Sequence, residues 1–175
     1  MPAPNIASLY DLESAYEDVL VNYFANMNVG GVTFGQVVTP RTNLTAEQFL
    51  ETPRLQVRCG VSGYGSAGSG IREDSYTFNN VSANYWSYPQ LTVELTVCTQ
   101  RNNASQPHGL MRGMVRQGML SATAIMNNNV LPYYQTVDVL PLTSTQGIEP
   151  QNDEINTQMT YELSVFIPPS SFPNS

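Results

Sequence analysis

Gly63-Tyr-Gly65-Ser-Ala-Gly68 has the GxGxxG spacing that, between a strand and a helix, lets a backbone cradle a pyrophosphate. That chemistry needs a helix starting at the glycines, and Ser69 to Phe78 shows no helical periodicity. The match therefore predicts no nucleotide site, and there is no Gly-Lys-Ser or Gly-Lys-Thr phosphate loop. His108 is the sole histidine, and no motif supplies the nucleophile and orienting carboxylate that would make it a base; it is expected to be solvated in the first turn of a helix. Glu73-Asp74 and Asp153-Glu154 lack the alternating oxygen ligands of a calcium loop and are expected to be solvated acids. Cys59 and Cys98 have no CxxC or histidine partner and are expected to be reduced thiols in or near the core. No catalytic residue, cofactor or metal is thus expected. Arg112 and Arg116, four apart on a helix, are a pair of forks that could reach carboxylates on an adjacent subunit. Tyr64, in a glycine-rich stretch expected to order on docking, is taken as a third contact residue.

The elements that must position these residues centre on Pro89 to Asn127. Leu91, Val93, Leu95 and Val97 take one face of a strand; Thr92, Glu94, Thr96 and Cys98 take the other. Ser105 is placed to cap a following helix, with Pro107 in its first turn, and Met111, Met114, Val115, Gly118, Ala122 and Ile125 recur at helical spacing. Gly109, Gly113 and Gly118 lower the propensity of that helix by about 1 kcal/mol each, a cost tolerated where another backbone comes close. A sheet with a helix on its apolar face is the expected core.

Upstream, Ser8 and Asp11 form a capping-box start. Leu9, Leu12, Tyr16, Val19, Leu20, Tyr23, Phe24 and Met27 make an apolar stripe, and Gly30-Gly31 is read as its end. Glu13, Glu17 and Asp18 lie off the stripe, which makes Glu17 dispensable and Val19 a core residue. Residues 32–38 read as a strand, and Thr45 with Gln48 starts a brief helix stopped by Pro53. In 54–61, Leu55, Val57, Cys59 and Val61 point inward, and Gln56, Arg58 and Gly60 outward. Five glycines between Gly60 and Gly70 predict a mobile loop, with 76–88 as its return strand. Residues 133–142 read as a strand with Val137 and Val139 on one face, Thr143 to Asn156 as a long polar loop, and 159–167 as a closing strand. The tail PPSSFPNS is expected to be extended. One domain is expected over residues 1–175, with its core in about 8–167, a flexible excursion at 60–88 and a proline-rich tail at 168–175.

Composition narrows the function classes. Charged residues are 12% of the chain, net charge is −7, and all 7 basic residues are arginine. A surface so poor in charge suits a subunit among neighbours, and arginine is the cation favoured at interfaces. No positive cluster exists to neutralise phosphates, so sequence-independent DNA binding is not expected. No stretch resembles a signal peptide or reaches the roughly 20 apolar residues of a membrane span, so a cytosolic, membrane-free protein is expected.

The order of elements resembles the tail-terminator (tail-completion, head-tail joining) proteins of tailed bacteriophages. The resemblance is carried by LYDLESAYEDVLVNYF, TPRLQVRCG, PQLTVELTVCTQ, HGLMRGMVRQGMLSATAI, LPYYQTVDVLPL and MTYELSVFI, which span most of the chain. It implies an α+β fold, a mainly antiparallel sheet with an N-terminal and a second long helix on one face and an extended hairpin excursion. It implies a non-enzymatic virion protein, assembled in the host cytoplasm. Such a protein forms a ring, commonly a hexamer, that caps the tail tube and joins it to the head-tail connector proteins while DNA passes through. On that reading Thr92, Glu94, Thr96 and Glu162 line the lumen, where they offer passing DNA acids and hydroxyls but no lysine. Another neck, connector or tail-tube subunit shares these features. A small enzyme, or a ligand-binding module built on the aromatic 76–88 stretch, is the reading from other classes.

Overall fold

The structure, a computed structural model, describes residues 12–43, 45, 52–64, 71–72, 76–78, 81–83, 86–87, 89–102, 107–121, 123, 126, 135–149 and 153–166. The expected capping box at Ser8, the brief helix after Thr45 and the PPSSFPNS tail lie outside these residues.

The fold is α+β. A five-stranded sheet runs in the order β1-β2-β7-β9-β8, with β1 at Gln36–Val38, β2 at Arg54–Tyr64, β7 at Pro89–Gln100, β8 at Gln135–Glu149 and β9 at Glu154–Phe166. All its pairings are antiparallel except β1 with β2. Helices α1, Leu12–Ala25, and α2, His108–Leu120, pack on one face. The alternation read in β7 holds: Leu91, Val93, Leu95 and Val97 are fully buried. With Leu55 and Val57 of β2 and Met159, Leu163 and Val165 of β9, they meet Tyr16, Leu20 and Phe24 of α1 and Met111, Met114 and Val115 of α2. Each such side chain removed from water stabilises the fold by about 1.5–3 kcal/mol before entropy is charged.

The two helices touch where sequence composition allowed them to. A Cβ on Gly118 would lie 2.6 Å from Phe24 Cε1, so α2 needs glycine there to approach α1. Gly109 and Gly113 have nothing within 4 Å of such an atom, so close approach explains one of the three glycines. The residue in the N-cap position of α2 is Pro107, with no side-chain cap; the expected cap Ser105 lies outside the described residues. Helix α2 ends at Leu120, capped by Ser121; Thr123 and Met126 are again helical, and the expected Ala122 and Ile125 lie outside the described residues.

Several boundaries differ from the sequence reading. Helix α1 ends at Ala25, and Gly30-Gly31, at φ 61° and 87°, turns the chain so that Val29 bridges Val32. Only Gln36–Val38 of the expected 32–38 strand joins the sheet. The 76–88 stretch is not one return strand. It holds both arms of a hairpin, β4 Tyr76–Phe78 with β5 Val81–Ala83, while β6 Trp86–Ser87 pairs with β3 Ile71–Arg72. The largest difference is at 143–156. The expected polar loop is the far half of β8 and the start of β9, paired from Gln135–Phe166 to Glu149–Glu154. Its Thr-Ser-Thr-Gln composition reads as loop because β8 is exposed at 140–147, so no apolar face marks it as a strand.

Candidate functional site

Three surfaces bear on function: the polar face of the sheet, the outer edge of β2, and the trough between α2 and β8. The polar face collects the residues expected to line a lumen. Register sets Thr92 beside Glu162, Glu94 beside Thr160 and Thr96 beside Gln158. Sequence alternation brought these together correctly. It did not pair Arg58 with Glu94, which face each other across β2 and β7 with Nη1 to Oε2 at 3.9 Å. The face is therefore partly neutralised by a strand-borne cation and is not simply acidic. A depression of about 560 Å³ lies on it, lined by Gln56, Arg58, Glu94, Thr96 and the turn at Thr39 and Thr42. That turn is held by Thr39 N–H donating to Thr42 Oγ1 at 2.9 Å.

At one end this face is buried. Arg54 and Glu154, both 3% exposed at the side chain, pair at 3.3 Å across the sheet, over Cys98. Glu154 is thus not a solvated loop acid. Asp153, at φ 52°, is exposed and precedes it in the turn. Cys98 is buried here and Cys59 on the helix side, so the two thiols lie on opposite faces and both are free. Burial pushes the Cys59 thiol well up, with Glu17 and Glu13 adding to the effect, which keeps it protonated and inert. Burial likewise raises Cys98. Among the described residues no cluster of three or more His, Cys, Asp or Glu could hold a metal, and no helix is long and apolar enough to cross a membrane.

The outer edge of β2 is finished by side chains of α1. Beyond the three-residue β1, Glu17 Oε1 accepts the Cys59 N–H at 3.0 Å and Glu13 Oε1 accepts the Val61 N–H at 2.9 Å. Glu17 Oε2 also takes Arg41 Nε at 3.0 Å, and Arg41 Nη2 reaches Asp18 at 2.9 Å. Glu17 is buried, while Val19 is only half-buried against the core. This reverses the expectation from the stripe. Apolar periodicity marks the face toward side chains, and Glu17 faces a strand edge, where backbone donors need acceptors.

His108 also departs from expectation. It is half-buried, with Nδ1 at 2.8 Å from Thr99 Oγ1 and Nε2 at 2.7 Å from Thr157 Oγ1, both threonines being fully buried. Burial, then Arg112, lowers its pKa from 6.5. It pins the start of α2 to β7 and β9. The odd positions Thr99 and Thr157 continue the inward faces of their strands, a signal the apolar pattern conceals because they are hydroxyls.

Of the three expected contact residues, Arg112 and Arg116 stand together on α2. Arg112 Nη1 donates to Gln146 Oε1 of β8 at 3.0 Å, and Arg116 is exposed beside a trough of about 500 Å³. Tyr64 is not with them. It ends β2 opposite Pro89, nine positions from Leu55, whose cross-strand row runs through Val97 and Thr157 to Gln146. At about 3.3 Å per residue that is some 30 Å away.

No protein-family model and no curated protein sequence matches the chain.

Proposed function

We propose that the chain is a structural virion subunit that assembles into a ring, closes the tail tube of a tailed phage at the head-tail junction, and lets DNA pass through its lumen. The reading rests on the resemblance in element order, and the observation that best supports it is the two-sidedness of the sheet. Both helices pack on one face. The other carries cross-strand rows of small hydroxyls and amides, Thr92, Thr96, Thr160 and Gln158, with Glu94 offset by Arg58 and Glu162 beside Thr92. A lumen wall for DNA must neither bind phosphate nor repel it strongly, and such a face meets both needs. Its partners on this reading are further copies of itself, the tail-tube protein and the connector proteins. DNA is a passing occupant.

The test is to add purified protein to tail tubes that lack an end cap. Rings at one end of each tube and an arrest of further tube growth are expected. A protein that leaves tube ends bare and tube growth unchanged contradicts the proposal. A Glu162→Arg ring should then release DNA more slowly than wild type, most of all at low salt, because guanidinium forks grip phosphates. Glu162 is the cleaner site, since Glu94→Arg would set two guanidiniums opposite each other on β2 and β7.

A further inference from the structure

Among the described residues, the trough between α2 and β8 is an open slot in the helix layer. It is lined by Met119 and Leu120 of α2, Val139 and Leu142 of β8, and Met159 and Tyr161 of β9. Leu120 is 87% exposed and Leu142 48% exposed. The register shift between Pro141 and Thr143 leaves Leu142 as the extra residue of β8, without a partner in β9. Large apolar side chains exposed together at a concave site mark a contact surface.

Charge identifies the occupant. Arg41 pairs with Glu17 and Asp18, Arg54 with Glu154, Arg58 with Glu94 and Arg101 with Asp153. Among the arginines whose side chains are described, Arg112 and Arg116 meet no carboxylate, and both stand on the helix that walls the trough. Arg112 Nε is in addition buried with no acceptor among the described residues. Asp138, the acid at the trough, has Oδ1 engaged by the Val139 N–H at 2.9 Å. The chain as a whole carries 14 acids against 7 arginines. With two arginines outside ion pairs against the one acid Asp138, this place is positive where the chain as a whole is acidic, and so it complements the rest of the molecule's surface.

We propose that a second copy of this chain docks in the α2–β8 trough, burying Leu120 and Leu142 and placing carboxylates on Arg112 and Arg116. The inference deepens the ring reading by naming the face through which copies meet. Its test needs no tail tubes, so it can fail or stand separately from that reading.

The experiment is sedimentation of the full chain from micromolar to millimolar concentration, at low and high salt. Three variants accompany the wild type: Arg112→Glu with Arg116→Glu, Leu120→Ser with Leu142→Ser, and Arg101→Glu as a control away from the trough. Thermal melting of each dilute variant checks folding. Concentration-dependent association is expected for wild type and Arg101→Glu, weakened by salt, and weaker by about tenfold or more in the other two variants. Hydroxyl-radical labelling of Leu120 and Leu142 should fall as wild type associates. A wild type that stays monomeric throughout overturns the proposal. So does association that both trough variants retain, or labelling already low in the dilute monomer, which would place a segment of the same chain in the slot. Should one trough variant fail to fold, the other decides.

Discussion

The two edges of the five-stranded sheet are finished in opposite ways. At the β2 edge, three residues of β1 and then the carboxylates of Glu17 and Glu13 take up the outward backbone donors. At the β8 edge, among the described residues, no further strand pairs along a 15-residue strand, Asp138 Oδ1 accepts only the N–H of its neighbour Val139, and residues 140–147 are exposed. Open edges invite pairing, so on the proposed ring reading the β8 edge is the side on which copies would associate. On the proposed reading, the closed edge belongs to folding and the open one to assembly.

The largest effect should come from breaking the closed edge. Glu17→Ala leaves the Cys59 N–H without its acceptor and Arg41 without its buried partner, and should cost about 2–3 kcal/mol in urea unfolding. Asp18→Ala removes only an exposed contact of Arg41 and should cost at most about 0.5 kcal/mol. Equal losses in the two variants would show that the edge closure contributes nothing beyond surface charge.

Next comes the support behind that edge. Helix α1 is held from the other side by α2, with Phe24 stacked edge-on against Tyr23 and Phe34 at 5.1 and 6.4 Å between ring centroids. Gly118→Ala drives a methyl into Phe24 and should cost about 1–3 kcal/mol. Gly113→Ala, in open space on the same helix, should gain about 0.5–1 kcal/mol. Thermal melting of the pair gives the sign directly.

These two predictions show how far the sequence could be read. The β7 strand, both helices and the helix-bearing face followed from periodicity, because every second or every third to fourth residue there meets apolar atoms. Glu17 escaped because its partner is a backbone N–H 42 positions away, and no side-chain pattern records a backbone donor. The outer half of β8 escaped for the converse reason. Among the described residues it is held by the β9 ladder and the Arg112–Gln146 contact, and its exposed side chains carry no apolar pattern. The polar face was legible in its residues, yet the Arg58–Glu94 pairing needed the register of β2 on β7.

The pin on α2 gives a pH prediction. The folded pKa of His108 is lowered, so its contribution to stability is present above the ordinary imidazole value of 6.5 and is lost as pH falls through the lower folded value. Melting temperature should drop on acidification below about pH 6.5, and His108→Gln should flatten that part of the profile. An unchanged profile in the variant would remove His108 as its source. The smallest effect is expected at the open edge, where Leu120→Ser with Leu142→Ser should leave the dilute chain within about 0.5 kcal/mol of wild type.

Residue-resolved hydrogen exchange tests the contrast between the edges most directly. In the dilute chain, the Cys59 and Val61 amides should exchange slowly, while the amides of 140–146 that point away from β9 exchange fast. On assembly the β8 amides should slow and the Cys59 and Val61 amides should stay as they were. Fast exchange at Cys59 and Val61 in the dilute chain, or β8 amides untouched by assembly, would contradict the account.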